Sequence, residues 1–220
     1  EFGGSNLGNQ AFSLVLKELA QYSVSYSVTV SVSAMVQSII SEYGNQEQKN
    51  QYLGPMIKGE EIGAFALSES HSGSDAAALK TTAKKTKGGY ILNGSKMWIT
   101  SGGIAKTYIV MARTGEEGPK GISAFIVRDG TEGFHYGKKE NKMGWNISPT
   151  RELLFENCFI PEENLLSQEG QGFNIAMSAL DRGRITIGAI GVGVAQRCLA
   201  EATRYALNRE QFKKAIFDFQ

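Results

Sequence analysis

Two cysteines among 220 residues are too few to staple a fold, and Cys158 and Cys198 stand at no zinc-binding or redox spacing. Both are expected to be reduced and buried. The two histidines, His71 and His135, lack a partner at metal-ligating distance in the sequence, so no metal site is expected. An excess of one charge sign is also missing. The 23 basic and 22 acidic residues leave a formal net charge of +1, which recommends neither nucleic acid nor an anionic membrane as the main partner. No apolar run reaches the roughly 18 residues of a membrane span, and no signal or transit pattern is present. Glu1 starts mid-fold, so a preceding segment is expected. What remains, 41% hydrophobic and 20% charged, is ordinary for a globular chain with a sizeable core in one or two domains.

Residues 11 to 20 carry Phe12, Val15, Leu16 and Leu19 at helical spacing, with Asn9 placed to cap them. Residues 23 to 33 alternate Ser or Thr with Val or Tyr, which by period alone describes a half-buried strand. Val36, Ile39, Ile40 and Tyr43 return to helical spacing until Gly44, and Gln46 to Tyr52 forms a short helix. From Ile62 to about Phe159 the texture becomes β-rich. Strands are expected at Lys80–Lys87, Tyr90–Thr100, Tyr108–Ala112, Ser123–Val127 and Glu152–Phe155, with a hairpin turn at Lys87-Gly88-Gly89 and a barrel or sandwich overall. After Gly172 a helical stripe of Phe173, Ala176, Met177, Leu180, Ile187, Ile190, Val194 and Cys198 should run to about Asn208. Gly188, Gly191 and Gly193 miss the dinucleotide-binding spacing and point to close helix packing.

Two stretches carry chemistry. Phe65-Ala-Leu-Ser-Glu-Ser-His-Ser-Gly-Ser-Asp75 ends a buried strand in a turn of small hydroxyls whose unpaired amides suit an anion or a polar edge. Gly73 would let the backbone approach a ligand closely. Asn93-Gly-Ser-Lys-Met-Trp-Ile-Thr-Ser-Gly-Gly103 puts the Trp98 ring and the Thr100 hydroxyl on one face of a strand. Taken alone, the first is usually only a turn and the second usually holds a core tryptophan.

Together the two stretches resemble the acyl-CoA dehydrogenases. The resemblance extends through Tyr43-Gly44 and Lys58-Gly59-Glu60 upstream, and through Lys142-Met143-Gly144, Ser148-Pro149-Thr150, Gly170-x-Gly172-Phe173, Leu180-Asp181, Gly183-Arg184 and Arg209-x-x-Phe212 downstream. It implies an α+β chain: N-terminal helices over 1–60, a β-barrel domain over 61–167 and the start of a helical bundle over 168–220. It also implies that residues 23 to 33 are helix. FAD is the implied cofactor, with Phe65, Leu67 and Ser68 at the flavin's pyrimidine edge and Gly73 and Ser74 near its pyrophosphate and the acyl-CoA. Trp98 and Ile99 would lie against the ring system, and Thr100 would donate toward N5. Phe65 and Ser68 stand where Tyr and Thr are frequent.

Asp181 and Arg184, three apart on one helix face, form an ion pair in the plainest reading. By resemblance they instead meet the pantetheine arm and the thioester end of the substrate. Arg209, Gln211, Phe212 and Gln220 resemble a segment that crosses to a neighbouring subunit's flavin, which implies a homo-oligomer, a dimer of dimers. Lys213 replaces the usual Gly there and puts that turn in question. Glu69 is expected to cap amides in the loop. The implied activity is α,β-dehydrogenation of an acyl-CoA thioester to the trans-2-enoyl-CoA, with electrons passed to an electron-transfer flavoprotein, in the cytoplasm of a bacterium or the mitochondrial matrix of a eukaryote. Gly183 occupies the place where one branch of the family carries its catalytic glutamate, and the other branch would carry it beyond Gln220, so no catalytic residue is named. Gly183 favours the short- to medium-chain branch. The alternatives are a non-catalytic flavin- or acyl-CoA-binding module and a same-fold flavin enzyme of other chemistry, such as a monooxygenase or desulfinase.

Overall fold

The computed structural model describes residues 2–5 and 7–219 and has an α+β architecture. Three helices open it: α1 (Gly8–Ala20), α2 (Val24–Tyr43) and α3 (Gln46–Ile57). Asn9 is not the cap of α1. The helix starts from Leu7 without a side-chain cap, and the Asn9 carbonyl accepts from Ser13 Oγ at 2.8 Å inside the first turn. The hydroxyl-rich stretch is helical, and its polar groups show why period misleads here. Ser23 caps the helix by accepting from the Tyr26 amide. Ser27 Oγ donates to the Leu16 carbonyl, Thr29 Oγ1 to the Ser25 carbonyl, and Ser33 Oγ accepts from the Gly63 amide. Small satisfied hydroxyls let neighbours come close on sides where a larger residue would hold them off. Helix α3 runs one turn further than expected, through Pro55, behind an Asn45/Gln48 capping box.

The expectation that no segment is long and apolar enough for a membrane span is corrected. Both α2 and the later helix α4 (Gly172–Asn208) meet the criterion of length and composition, because Ser and Thr weigh little and α2 holds one charge, Glu42. In the fold α2 is packed through Val28, Val36, Ile39 and Ile40.

A single sheet follows: β1 (Gly63–Ala66), β2 (Thr82–Thr86), β3 (Gly89–Thr100), β4 (Thr107–Arg113), β5 (Ile122–Arg128), β6 (Phe134–Lys139), β7 (Thr150–Pro161) and β8 (Leu165–Leu166). The order is β6-β7-β3-β2-β4-β5-β8, with β1 added in parallel to β4. Pairing is otherwise antiparallel apart from one parallel β2–β4 bridge. The expected barrel is a curled sheet whose pairing path ends at β6 and β8. Its curl is visible in ring contacts between strands far apart in the order: Tyr108 of β4 meets Phe134 of β6 at 5.0 Å, and Tyr90 of β3 meets Phe125 of β5 at 4.9 Å. Strands spaced roughly 4.8 Å apart could not bring these rings together in a flat sheet. Strands β6 and β8 were not foreseen. One is a short run with Gly137 inside and the other only a dipeptide.

Strands β4 and β5 are buried on both faces, which explains their unbroken apolar sequence. Tyr108, Val110, Phe125 and Val127 fill the curl with Leu92, Leu153 and Phe155. Ile109, Met111, Ala124 and Ile126 face the helices, meeting Ile39, Ile40, Leu53 and the start of α4 at Ile175, Ala176 and Ala179.

The contact face of α4 differs from the expected stripe. Ile175, Ala179 and Gly193 are buried, whereas Leu180, Ile187 and Cys198 are exposed. The expectation of two buried thiols therefore fails at Cys198. Cys158 is buried, and burial raises its thiol to about 11. Of the three helix glycines, Gly193 alone packs closely: a Cβ there would lie 2.1 Å from the Lys17 carbonyl of α1. A Cβ at Gly188 or Gly191 would meet nothing within 4 Å beyond the helix's own backbone.

This contrast predicts opposite signs for one substitution. Gly193→Ala should destabilise by about 1–3 kcal/mol through overpacking. Gly191→Ala should stabilise by up to about 1 kcal/mol through helix propensity. Urea denaturation followed by circular dichroism checks both.

Candidate cofactor site

The site is built where strand β3 breaks its alternation. Lys96 pairs with Leu153 but Ile99 pairs with Arg151, so β3 spends three steps against two on β7. This bulge lies at Met97-Trp98, and Trp98 adopts a φ of 57°. Strict alternation in phase with Tyr90 and Leu92 would turn Trp98 into the core. The bulge instead leaves it 54% exposed, on the same side as half-buried Thr100, while Ile99 packs inward at 3%. The expected shared face of Trp98 and Thr100 is therefore present. Ile99 has only its backbone to offer a ligand.

Lys96, the inward residue just before the bulge, was not singled out from sequence, although it falls in the core phase of β3. Its side chain is fully buried. The ammonium donates to Glu69 Oε1 at 2.6 Å and to the Leu67 carbonyl at 3.0 Å. Glu69, only 3% exposed, also accepts from the amides of Lys80 (2.7 Å) and Thr81 (3.0 Å). His71 Nε2 lies 3.5 Å from its other oxygen. The expected amide-capping role of Glu69 holds, with a buried cation added. Thr81 reaches this position because Gly94, at φ 140°, leaves room: a Cβ would sit 2.8 Å from Thr81 Cα.

Burial raises the Glu69 carboxyl, but the Lys96 charge and hydrogen bond, with the Lys80 and Thr81 donors, outweigh it and hold the group below its ordinary 4.5. Burial pushes Lys96 down to about 8 despite the opposing pull of Glu69.

The loop's hydrogen bonds are one-sided. The Leu67 carbonyl is taken by Lys96 and the Ser68 carbonyl by the Met97 amide at 2.8 Å. Glu69 and Ser72 exchange amide and carbonyl at 2.8 and 3.1 Å, and Ser72 Oγ donates to the Asp75 carbonyl. Carbonyl and amide of a planar trans peptide point opposite ways. With the carbonyls of Leu67, Glu69 and Ser72 turned inward, the amides of Ser68, Ser70 and Gly73 are turned out. None of these three amides, nor that of Ser74, has a protein acceptor among the described residues. Here the loop offers unpaired backbone donors. A Cβ added at Gly73 would meet nothing within 4 Å, so no protein neighbour demands glycine there.

Phe65 and Ser68 are half-buried, Leu67 is 6% exposed and packs into the helix-facing core, and Ser74 is exposed. Asp181 and Arg184 stand on α4 as an ion pair at 3.1 Å with both side chains mostly exposed. Arg184 and Gly183 line a cleft of about 510 Å³ between α2 and α4, otherwise walled by Val28, Val32, Met35 and Ile187. After α4, β9 (Glu210–Gln211) and β10 (Lys214–Ala215) form a small hairpin. Its turn residues Phe212 and Lys213 have φ of 53° and 63°, so the turn closes with Lys213 in place of Gly. Arg209, Gln211 and Phe212 are exposed, Phe212 at 89%. Gln220 lies outside the described residues. Among the described residues, no backbone hydrogen bond joins the hairpin to the loop at 65–75.

Models of the N-terminal, middle and C-terminal domains of acyl-CoA dehydrogenases match residues 1–60, 64–158 and 170–220. The chain belongs to the acyl-CoA dehydrogenase family. It is 46% identical to the mitochondrial isobutyryl-CoA dehydrogenase of Dictyostelium discoideum, across the whole chain and 53% of that protein. Butyryl-CoA dehydrogenase of Megasphaera elsdenii superposes with a TM-score of 0.96 at 43% identity, over all of this chain and 59% of that one. A chain in the structure described as the electron transferring flavoprotein of Acidaminococcus fermentans gives 0.97 at 45% identity, over all of this chain and 58% of that one. Other solved relatives hold FAD. The chain thus spans a little over half the length of these relatives.

The depressed Glu69 carboxyl fixes the sign of an acid effect. On acidification the unfolded chain takes up this proton first, so the contribution is complete above about 4.5 and is lost as pH falls through the lower folded value. Glu69→Gln should be less stable at neutral pH, and its stability should fall less steeply than the parent's below pH 4.5. Urea midpoints across that range check this.

Proposed function

We propose that this chain forms the FAD- and substrate-binding part of a dehydrogenase acting on short-chain acyl-CoA thioesters, yielding the trans-2-enoyl-CoA. The observation that carries the reading is a loop with four amides unpaired among the described residues, beside an exposed, outward-turned tryptophan. A flavin offers carbonyl oxygens and ring nitrogens along one edge of a flat apolar ring, and a pyrophosphate further along. The amides of Ser68 and Ser70 suit the edge, those of Gly73 and Ser74 suit the pyrophosphate, and the Trp98 indole suits the ring face. Thr100, on the same side as Trp98, supplies a hydroxyl toward N5.

When bound, FAD accepts the hydride that leaves the substrate's β-carbon. The chain's own contribution is placement. Holding ring and thioester in line can supply roughly 7–11 kcal/mol of the barrier. Asp181 and Arg184 would exchange their mutual ion pair for the pantetheine arm and the thioester end, with the apolar cleft at Gly183 and Met35 taking the short acyl chain. The carboxylate that removes the α-proton is assigned to none of the described residues, since Gly183 has no side chain. Arg209, Gln211 and Phe212, exposed on their hairpin, fit a role at a second subunit's flavin in a homo-oligomer, a dimer of dimers. Gln220 belongs to the same proposal through the family resemblance. Electron-transfer flavoprotein is the proposed acceptor.

Trp98→Ala tests this reading. Because the side chain is largely exposed, the urea midpoint should move little, within about 0.5 kcal/mol. FAD retention, read by visible absorbance after gel filtration, should fall at least tenfold. Equal loss of fold and flavin, or unchanged retention, would contradict the assignment. Anaerobic addition of butyryl-CoA to the yellow protein then separates dehydrogenation, which bleaches the flavin, from binding alone, which only shifts its spectrum.

A further inference from the structure

We infer that Lys96 is a positioning residue for the flavin edge: by holding the Leu67 carbonyl and the Glu69 carboxylate beneath the loop, it aims the Ser68 amide outward. The inference rests on the reading of the loop as an FAD site and names a residue that the site itself does not expose. A fully buried ammonium is an expensive way to stabilise a loop, since its desolvation offsets much of the attraction to Glu69. Two features point to orientation. Its second bond goes to a main-chain carbonyl, Leu67 O, at 3.0 Å. The amide sharing that peptide plane belongs to Ser68, and it is one of those without a protein acceptor.

A second contact holds the next peptide plane, Ser68-Glu69. The Ser68 carbonyl is fixed by the Met97 amide on the bulge, one residue after Lys96 and one before Trp98. Strand β3 therefore sets the loop peptide and the ring face from four consecutive positions: Lys96 through its ammonium, Met97 through its amide, Trp98 through its indole and Ile99 as the anchor that restores the register. Among the hydrogen bonds of the described residues, the Lys96 bond to Leu67 O opposes rotation of the Leu67-Ser68 peptide, and the Met97 bond fixes the neighbouring Ser68-Glu69 peptide. Without the ammonium the carbonyl is free to turn outward. It would then present an acceptor to an edge that also accepts.

Removing Lys96 alone leaves Glu69 buried without its cation, so Lys96→Met is expected to lose stability as well as the aim. The decisive variant is the double substitution Lys96→Met with Glu69→Gln, which removes both charges and keeps one side-chain acceptor oxygen at this position. Two probes are used with the purified protein: FAD, and ADP as a ligand that shares only the pyrophosphate end. The expected result is a double variant with a urea midpoint closer to the parent's than that of Lys96→Met. Its FAD dissociation constant should rise at least tenfold and its bound-flavin absorption band should shift, while its affinity for ADP changes less than twofold. A double variant that binds FAD as tightly as the parent, with the same absorption band, would overturn the inference and leave Lys96 a structural cation only. An equal loss of FAD and ADP would overturn it too, because the effect would then not lie at the flavin edge. If the parent protein binds no FAD, it is the functional reading that fails.

Discussion

The contact between Lys96 and Glu69 is the constraint on which the rest of the site depends. It joins the loop after β1 to β3 across 27 residues of sequence, with Lys96 fully buried and Glu69 nearly so. Buried ion pairs are weak as net sources of stability, because desolvation removes most of what attraction supplies. What the pair provides here is direction. Glu69 gathers two backbone amides and one ammonium, Lys96 gathers one carboxylate and one carbonyl, and the Leu67 carbonyl is held inward with the Ser68 amide turned the other way. A loop held by apolar packing alone would have no means of choosing between the two faces of a peptide.

The bulge in β3 is the second half of the same device. An extra residue at Met97-Trp98 turns a side chain that would have been core into an exposed ring, and it does so directly after the buried lysine. Trp98 at φ 57° is followed by Ser101 at φ 67°, and these left-handed positions bracket Ile99 and Thr100. The strain they store is about 1–2 kcal/mol each for residues with a Cβ. It is held by the surrounding ladder, with β7 paired to β3 on both sides of the bulge. Strand, bulge and loop thus bring a ring face and a row of donors to one surface.

Much of this was legible in the sequence, for reasons that can be named. The apolar runs of β4 and β5 are continuous because both faces are covered. Gly44 marks the end of α2 through chemistry that acts within a few residues. The Phe65–Asp75 and Asn93–Gly103 stretches resemble a known family closely enough to name the cofactor. What period could not show was tertiary. The hydroxyls of α2 mimic a strand, yet those of Ser27 and Ser33 find their partners on α1 and β1. The buried face of α4 is set by α1 pressing its Lys17 carbonyl against Gly193, so Cys198 and Leu180 turn outward although they share a helical repeat with buried residues. Lys96 lay in the core phase of β3, and the only sequence signal for it was a cation where an apolar residue was due.

The most direct measurement is the set of backbone amide shifts of the nitrogen-15-labelled protein as FAD is added. The account predicts saturable binding at one site, with the largest changes at the amides of Ser68, Ser70, Gly73 and Ser74 and at the Trp98 indole. The amides of Glu69 and Ser72, already paired to each other, should move little. Binding whose largest shifts lie elsewhere, or no binding by a folded protein, would contradict the claim that this loop is built to face a flavin.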